Sequence, residues 1–255
     1  MNAPICWMGG KSRLRSKIIE RLPEHDCYVE VFGGAGWVLF GKEPSRVEVY
    51  NDIDGELANF FRVIQSAHRA FIQAFDWILI SRKLFTDYLR TDPKDLDEIQ
   101  RAVRFFYLIK NAYGGKSIQQ SFGYAKSSVP RLNLNSLGEI ISGVHQRLKR
   151  VYIEEGSFER TIERYDGEKT VFFLDPPYYE TAGYRFMMDL TDYERLAAVL
   201  GKIEGRFLLT INDHEAVRKV FRKFNIEEVE VPYTICREIT SRGLYGELFV
   251  TNFSK

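Results

Sequence analysis

Cysteine is scarce in this chain, and what there is forms no framework. Cys6, Cys27 and Cys236 are odd in number and far apart, so neither a disulfide scaffold nor a thiolate metal site follows from them. Reduced thiols in a cytoplasmic protein are the simpler reading. The four histidines, His25, His68, His145 and His214, make no helical pair at metal-binding spacing, and no metal is expected. No apolar run approaches the length that crosses a bilayer. The opening Met1-Asn2-Ala3-Pro4-Ile5-Cys6 lacks the charged and apolar regions of a signal peptide. Net charge is small as well: 36 Lys and Arg against 35 Asp and Glu leave +1, a total that does not advertise nucleic acid. Repeats and low-complexity stretches are absent. What remains is a globular composition, 45% apolar over 255 residues, enough for one domain with an insertion.

The most informative segment is Asp175-Pro176-Pro177-Tyr178. It follows Val171-Phe172-Phe173-Leu174, which reads as a buried parallel strand. Ligands bind at the carboxyl ends of strands in open α/β sheets. Asp175 can accept a hydrogen bond there, as can the Pro176 carbonyl, and a proline has no N–H to compete. Tyr178 offers a flat face for stacking. The set suits a planar substrate with an exocyclic amino group, such as a nucleobase. A proline-rich turn capping a strand is the plainer alternative.

A second cluster favours the first reading. The strand pattern Tyr28-Val29-Glu30-Val31-Phe32 runs into Gly33-Gly34-Ala35-Gly36, and Trp37-Val38-Leu39-Phe40 then begins a helix. Glycines at such a turn let backbone approach a ligand. The dinucleotide fingerprint is not met, because its third glycine position falls on Leu39. Glu30, before the turn, can accept from backbone amides or hold a ligand through water. The next strand, Arg46–Tyr50, ends in Asn51-Asp52-Ile53-Asp54. An acid at this second strand tip commonly holds ribose hydroxyls. Asp52 as a helix N-cap before Glu56 is the alternative.

Charge is segregated despite the small total. Between residues 101 and 150, nine cations oppose Glu139 alone, a surplus of +8, so the rest of the chain carries −7. Lys11, Arg13, Arg15, Lys17 and Arg21 make a second basic stretch. A basic segment in a near-neutral chain is the footprint of phosphate contact. A helix is expected near Lys11–Glu20. From Glu56 to about Lys149 the pattern is helical, around a Gly/Ser-rich loop that mixes Tyr113, Phe122 and Tyr124 with cations and amides. Such side chains read base edges or wedge into stacked bases. Strands resume at Arg150–Ile153, Thr170–Leu174, Arg206–Ile211, Ile226–Val231 and Glu247–Phe253, with a helix at Tyr193–Leu200.

Trp7-Met8-Gly9-Gly10-Lys11, the Phe32–Gly36 turn, the basic insertion and Asp175–Tyr178, in that order, resemble the Dam-like DNA adenine-N6 methyltransferases. The resemblance spans about residues 5 to 253. It implies an α/β fold: a seven-stranded Rossmann-like methyltransferase sheet with helices on both faces and an inserted, mainly helical DNA-recognition subdomain. Residues 1–56 and 150–255 would form the catalytic domain, and 57–149 the insertion. The cofactor would be S-adenosylmethionine, touched by Trp7, Lys11, Glu30, Phe32, Gly34, Gly36, Asp52, Ile53, Ser157, Phe158 and Asp175. Catalysis would fall to Asp175, Pro176 and Tyr178. Double-stranded DNA would be held by Lys110, Tyr113, Lys116, Tyr124, Lys126 and Arg131. A monomer in a bacterial cell or phage-infected host is implied. The chain departs from the family where an acid often precedes a phenylalanine, to bind the cofactor's adenine amino group. Here the pair is Ser157-Phe158, with Glu154 and Glu155 as substitutes. Cytosine-N4 methylation is a rival, although those enzymes usually carry serine before Pro-Pro-Tyr. RNA adenine methylation and DNA binding without catalysis are the others. Arg237–Arg242 reads either as a cover for the pocket or as an ordinary loop.

Overall fold

The computed structural model describes residues 1–7, 9–113, 118–124, 129–181, 183, 185–232 and 244–254. The chain opens with a short helix, α1 (Arg15–Ile19), then β1 (Cys27–Glu30), α2 (Trp37–Gly41) and β2 (Val47–Asp52). A helical block follows: α3 (Gly55–Ala74), α4 (Arg82–Arg90), α5 (Glu98–Asn111) and α6 (Leu137–Leu148). Strand and helix then alternate through β3 (Val151–Glu155), α7 (Phe158–Tyr165), β4 (Thr170–Leu174), α8 (Leu190–Leu200), β5 (Arg206–Asn212) and α9 (Glu215–Val220). The closing hairpin strands are β6 (Asn225–Pro232) and β7 (Leu244–Thr251).

The strands form one seven-stranded sheet in the order β3-β2-β1-β4-β5-β7-β6. β1 to β5 run parallel to one another, and β7 is antiparallel to both β5 and β6. The chain runs outward from β1 through β2 to β3, then returns to β4 beside β1 and continues the other way. Strand order therefore reverses between β1 and β4, which opens a crevice at their carboxyl ends.

Two apolar clusters sandwich the sheet. Side chains alternate along a strand, so Val171 and Phe173 of β4 join one cluster while Phe172 and Leu174 join the other. Every residue of β4 is buried, which explains its unbroken apolar sequence. The first cluster runs on from the sheet into the helical block, through Phe60, Phe61, Phe106 and Ile141. α3 packs on α5 and α6 there. α5 starts at a capping box of Asp97 and Gln100.

Two local differences from the sequence reading have physical causes. The N-terminal helix is only Arg15–Ile19: Lys11 to Leu14 form turns, and the Lys11 ammonium points inward to Asp175. The cap of α3 is Asp54, which accepts from Glu56 N–H, and Asp52 is left to face the glycine turn.

Candidate active site

The glycine turn owes its shape to residues behind it. Gly34 and Gly36 have φ of 51° and 74°, a region that other residues adopt at a cost. A Cβ on Gly33 would lie 2.2 Å from the Tyr50 ring. A Cβ on Gly36 would meet the Phe40 ring at 2.9 Å, so the demand for glycine at 36 comes from the protein interior. Gly33, Gly34 and Ala35 line the cleft instead. Asp52 fixes the turn by accepting from Gly34 N–H at 2.8 Å, and its other oxygen accepts from Asp54 N–H. Burial pushes the Asp52 carboxyl up to about 6, against these amides. Glu30 accepts from the Tyr28 hydroxyl and Leu39 N–H, both at 2.8 Å. Burial raises it to about 8, so it is protonated at neutral pH.

Across the turn stands the tetrapeptide that follows β4. Lys11, 5% exposed, places Nζ 2.5 Å from Asp175 Oδ1 and 3.5 Å from Glu247 Oε1. It also donates to Gly9 O and lies 4.6 Å from the Tyr178 ring centroid. Burial works against the ammonium, but Asp175, Tyr178 and Glu247 outweigh it and hold Lys11 well above its usual range. Thr210 Oγ1 donates to the same oxygen of Asp175 at 3.1 Å. Oδ1 thus takes both protein contacts, and among the described residues none falls on Oδ2.

Four residues that the sequence reading passed over staple this segment. Thr210 holds Asp175. Tyr193 donates its hydroxyl to Pro177 O. Asn212 accepts from Tyr179 N–H and donates to Tyr179 O, at 3.0 and 3.2 Å. Glu247 accepts from the Tyr178 hydroxyl at 2.6 Å. The available signal was polarity inside apolar strands: Thr210 and Asn212 are two apart on β5, hence on one face, and Glu247 is the lone acid of β7.

The cleft continues past Phe32, Ile53, Pro177 and Phe186 into a second pocket with Asn51, Ser157, Phe158 and Met188. Phe32 and Phe158 pack with ring centroids 5.9 Å apart. Ser157 caps α7 by accepting from Arg160 N–H, at 3.4 Å. Glu154 accepts from Arg164 and Tyr165, and Glu155 pairs with Arg62. Asn51, 1% exposed, donates to Val31 O and Gly156 O, and its Oδ1 has no partner among the described residues. A buried acceptor left over in this way calls for a donor. The groove therefore has a charged end at Trp7, Lys11 and Asp175 and an apolar end with a spare acceptor. That division fits S-adenosylmethionine, which carries an amino acid at one end and an adenine at the other.

The basic insertion is less free than its count suggested. Arg147, its side chain 11% exposed, makes a two-pronged contact with Glu48, which Lys42 also touches, and Arg101 pairs with Glu56. Their charge is spent inside the protein. Lys110 forms no ion pair among the described residues, and burial lowers its pKa. Arg131 is exposed. Ala112 and Phe122 form a β-bridge that closes the loop, with Tyr113 and Tyr124 61% and 72% exposed beside it. Arg82 lies over the Phe122 and Tyr124 rings. Lys116, Lys126, Cys236 and the segment Arg237–Arg242 lie outside the described residues. Among the described residues no group of three or more metal-ligating side chains occurs, and no helix is long and apolar enough to cross a membrane.

Comparison with known proteins brings independent findings. Residues 7–235 match the family described as D12 class N6 adenine-specific DNA methyltransferase. The chain is 26% identical over 270 residues to a Type II methyltransferase of Lactococcus lactis subsp. cremoris, covering 97% of this chain and 94% of that one. It is 27% identical to a Type II methyltransferase of Methanocaldococcus jannaschii, covering 97% of each. It is 25% identical to the DNA adenine methylase of Escherichia coli (strain K12), covering 93% and 88%. Among solved structures, a putative methyltransferase complexed with SAH aligns at TM-score 0.37 and 11% identity, over 100% of this chain and 54% of that one. That last likeness is too weak to carry weight.

Proposed function

Because the chain belongs to the D12 class of N6 adenine-specific DNA methyltransferases, it transfers the methyl group of S-adenosylmethionine to N6 of adenine in DNA, and we propose that Asp175, Pro176 and Tyr178 carry the chemistry. The observation behind this is Asp175: anchored by Lys11 and Thr210 through Oδ1 alone, at the mouth of a crevice opposite the glycine turn. Oδ2 is then the acceptor for one N6 hydrogen, and the Pro176 carbonyl for the other. An adenine amino nitrogen is a poor nucleophile because its lone pair is delocalised into the ring. Two acceptors draw it toward a pyramidal shape, with the lone pair aimed at the methyl group. Bound in the cleft, S-adenosylmethionine supplies an electrophilic methyl on a cationic sulfur. Positioning and electrostatics provide the rate, without a covalent intermediate.

Within the groove, Trp7 and Lys11 bound the methionine end, Asp52 takes the ribose hydroxyls, and Ile53 and Phe158 flank the adenine. The Asn51 and Ser157 side of the second pocket supports placing the adenine there. Protonated Glu30 offers a hydrogen-bond donor to the cleft that it lines. A duplex hides N6, so the target adenine flips out and Tyr178 stacks on it. Residues 57–149 serve as the target-recognition part, with Lys110 and Arg131 on phosphates and Tyr113 and Tyr124 toward bases. Lys116 and Lys126 are assigned the same role on phosphates. We place the enzyme in the cytoplasm of a bacterial cell or phage-infected host, as a monomer in solution that acts on double-stranded DNA. The test is Asp175→Ala: methyl transfer to unmethylated duplex DNA should be abolished while calorimetry still shows cofactor binding. Near-normal turnover would overturn the assignment.

A further inference from the structure

Glu247 is a buried acid beside the reacting centre that the mechanism above leaves unused. It is 3% exposed on β7, directly across the sheet register from Asn212. Its Oε1 accepts from the Tyr178 hydroxyl at 2.6 Å and lies 3.5 Å from Lys11 Nζ. Lys11 in turn is 2.5 Å from Asp175. One ammonium thus stands between two carboxylates. A lysine paired with Asp175 alone would cancel the charge that the catalytic carboxylate needs. With Glu247 on its other side, the trio carries one negative charge in excess when both acids are ionised; burial raises the pKa of each acid, and Lys11 works against that rise.

That excess matches the charge that the reaction moves. The N6 lone pair forms the bond to the methyl carbon as the carbon–sulfur bond breaks and its electron pair returns to sulfur. Positive charge passes from sulfur to N6, and a proton then leaves N6 for water. A site with no net charge would favour neither end of that transfer, whereas one extra negative charge on the Asp175 side, where N6 docks, stabilises the cation more as it moves from sulfur to N6. Burial strengthens the effect, because little water intervenes to screen it.

We propose that Glu247 is a positioning residue: it anchors Tyr178 and holds Lys11 between two acids, so that the centre stays one charge negative and selects a cationic cofactor. The proposal rests on the reading of Asp175 given above.

Glu247→Gln tests it. Glutamine keeps a carbonyl for the Tyr178 hydroxyl and removes only the charge. Single-turnover methyl transfer at saturating cofactor and DNA should slow by about tenfold or more, and the preference for S-adenosylmethionine over S-adenosylhomocysteine in calorimetry should shrink by about threefold or more, as expected for removing one nearby buried charge. Affinity for S-adenosylhomocysteine, which lacks the sulfonium charge, should hold within about twofold. Tyr178→Phe, which removes the hydroxyl contact alone, should leave the cofactor preference intact. Equal loss of both affinities, or an unchanged preference, would reduce Glu247 to packing and overturn the proposal, as would a wild-type rate. Asp175→Ala is measured alongside, because asparagine would keep a carbonyl acceptor. If it too is active, the reading of Asp175 fails. If it is dead while Glu247→Gln behaves as wild type, only the role of Glu247 fails.

Discussion

Asp54 caps α3 and also accepts from Arg185 Nη1 at 3.2 Å. A residue from beyond the catalytic tetrapeptide is thereby tied to the end of β2, across the mouth of the cleft. Arg185 and Phe186 line that cleft, and Met187 and Met188 line the pocket next to it. Arg185 is about half exposed, so the pair is a modest tether. Arg185→Ala should weaken cofactor binding by about 1 kcal/mol, roughly fivefold in Kd. Calorimetry checks this, and an unchanged Kd would mean that the segment stays in place without the tether.

Thr210 separates anchoring from chemistry. Its fully buried hydroxyl donates to Asp175 Oδ1. Thr210→Val keeps the volume and removes that donor, at a cost of about 1–2 kcal/mol in holding the carboxylate. Methyl transfer should fall by about tenfold, far less than for Asp175→Ala, while cofactor affinity stays level. A single-turnover assay distinguishes the two.

Asp52 predicts a pH dependence. Its carboxyl sits at about 6 because of burial, and only the ionised form accepts freely from ribose hydroxyls. Cofactor affinity should weaken as pH falls through 6, by about tenfold at pH 5. Asp52→Asn should flatten the profile. The effect on folding has the opposite sign. A folded pKa raised above the unfolded value of about 3.9 contributes stability at low pH that is lost as pH rises through the folded value. Titrations of Kd and of urea midpoint against pH should therefore slope in opposite directions for this group.

The basic insertion should divide into two classes. Replacing Lys110 and Arg131 by alanine should lower the slope of log affinity against log salt by about 0.9 for each phosphate that is no longer neutralised. Arg147→Ala should act on stability instead, by about 3–5 kcal/mol, because it leaves Glu48 buried with less compensation. Tyr113→Ala and Tyr124→Ala should reduce discrimination between DNA sites and leave the salt slope in place. Filter binding across salt, with a thermal melt for each variant, checks all of these.

The parts of the molecule most legible in the sequence were those written locally. β4 was read at its full extent, because a strand buried on both faces needs an unbroken apolar run. The glycine turn announced itself because positive φ restricts the residue choice. Charge was legible as a count and misleading as a surface: Arg101 and Arg147 find Glu56 and Glu48 far away in sequence, and no local pattern encodes that. The staples Thr210, Asn212, Tyr193 and Glu247 were missed because polarity inside an apolar strand, the local sign of three of them, does not name a partner. Each meets the tetrapeptide only through the tertiary fold, in which β5 lies beside β4 and β7 folds back against β5.

That placement of β7 has a consequence for how the molecule is made. The last strand in the chain is an interior strand of the sheet, inserted between β5 and β6. Among the described strands, β6 is joined to the sheet through β7 alone. A growing chain that has not yet emerged past Leu244 holds β5 with an open edge and β6 with nowhere to pair. Such an edge is a template for pairing with other chains. Leu248, Phe249 and Val250 close it, and Glu247 arrives on the same strand. Synthesis of that one strand thus ends the exposure to aggregation and completes the buried charge cluster together.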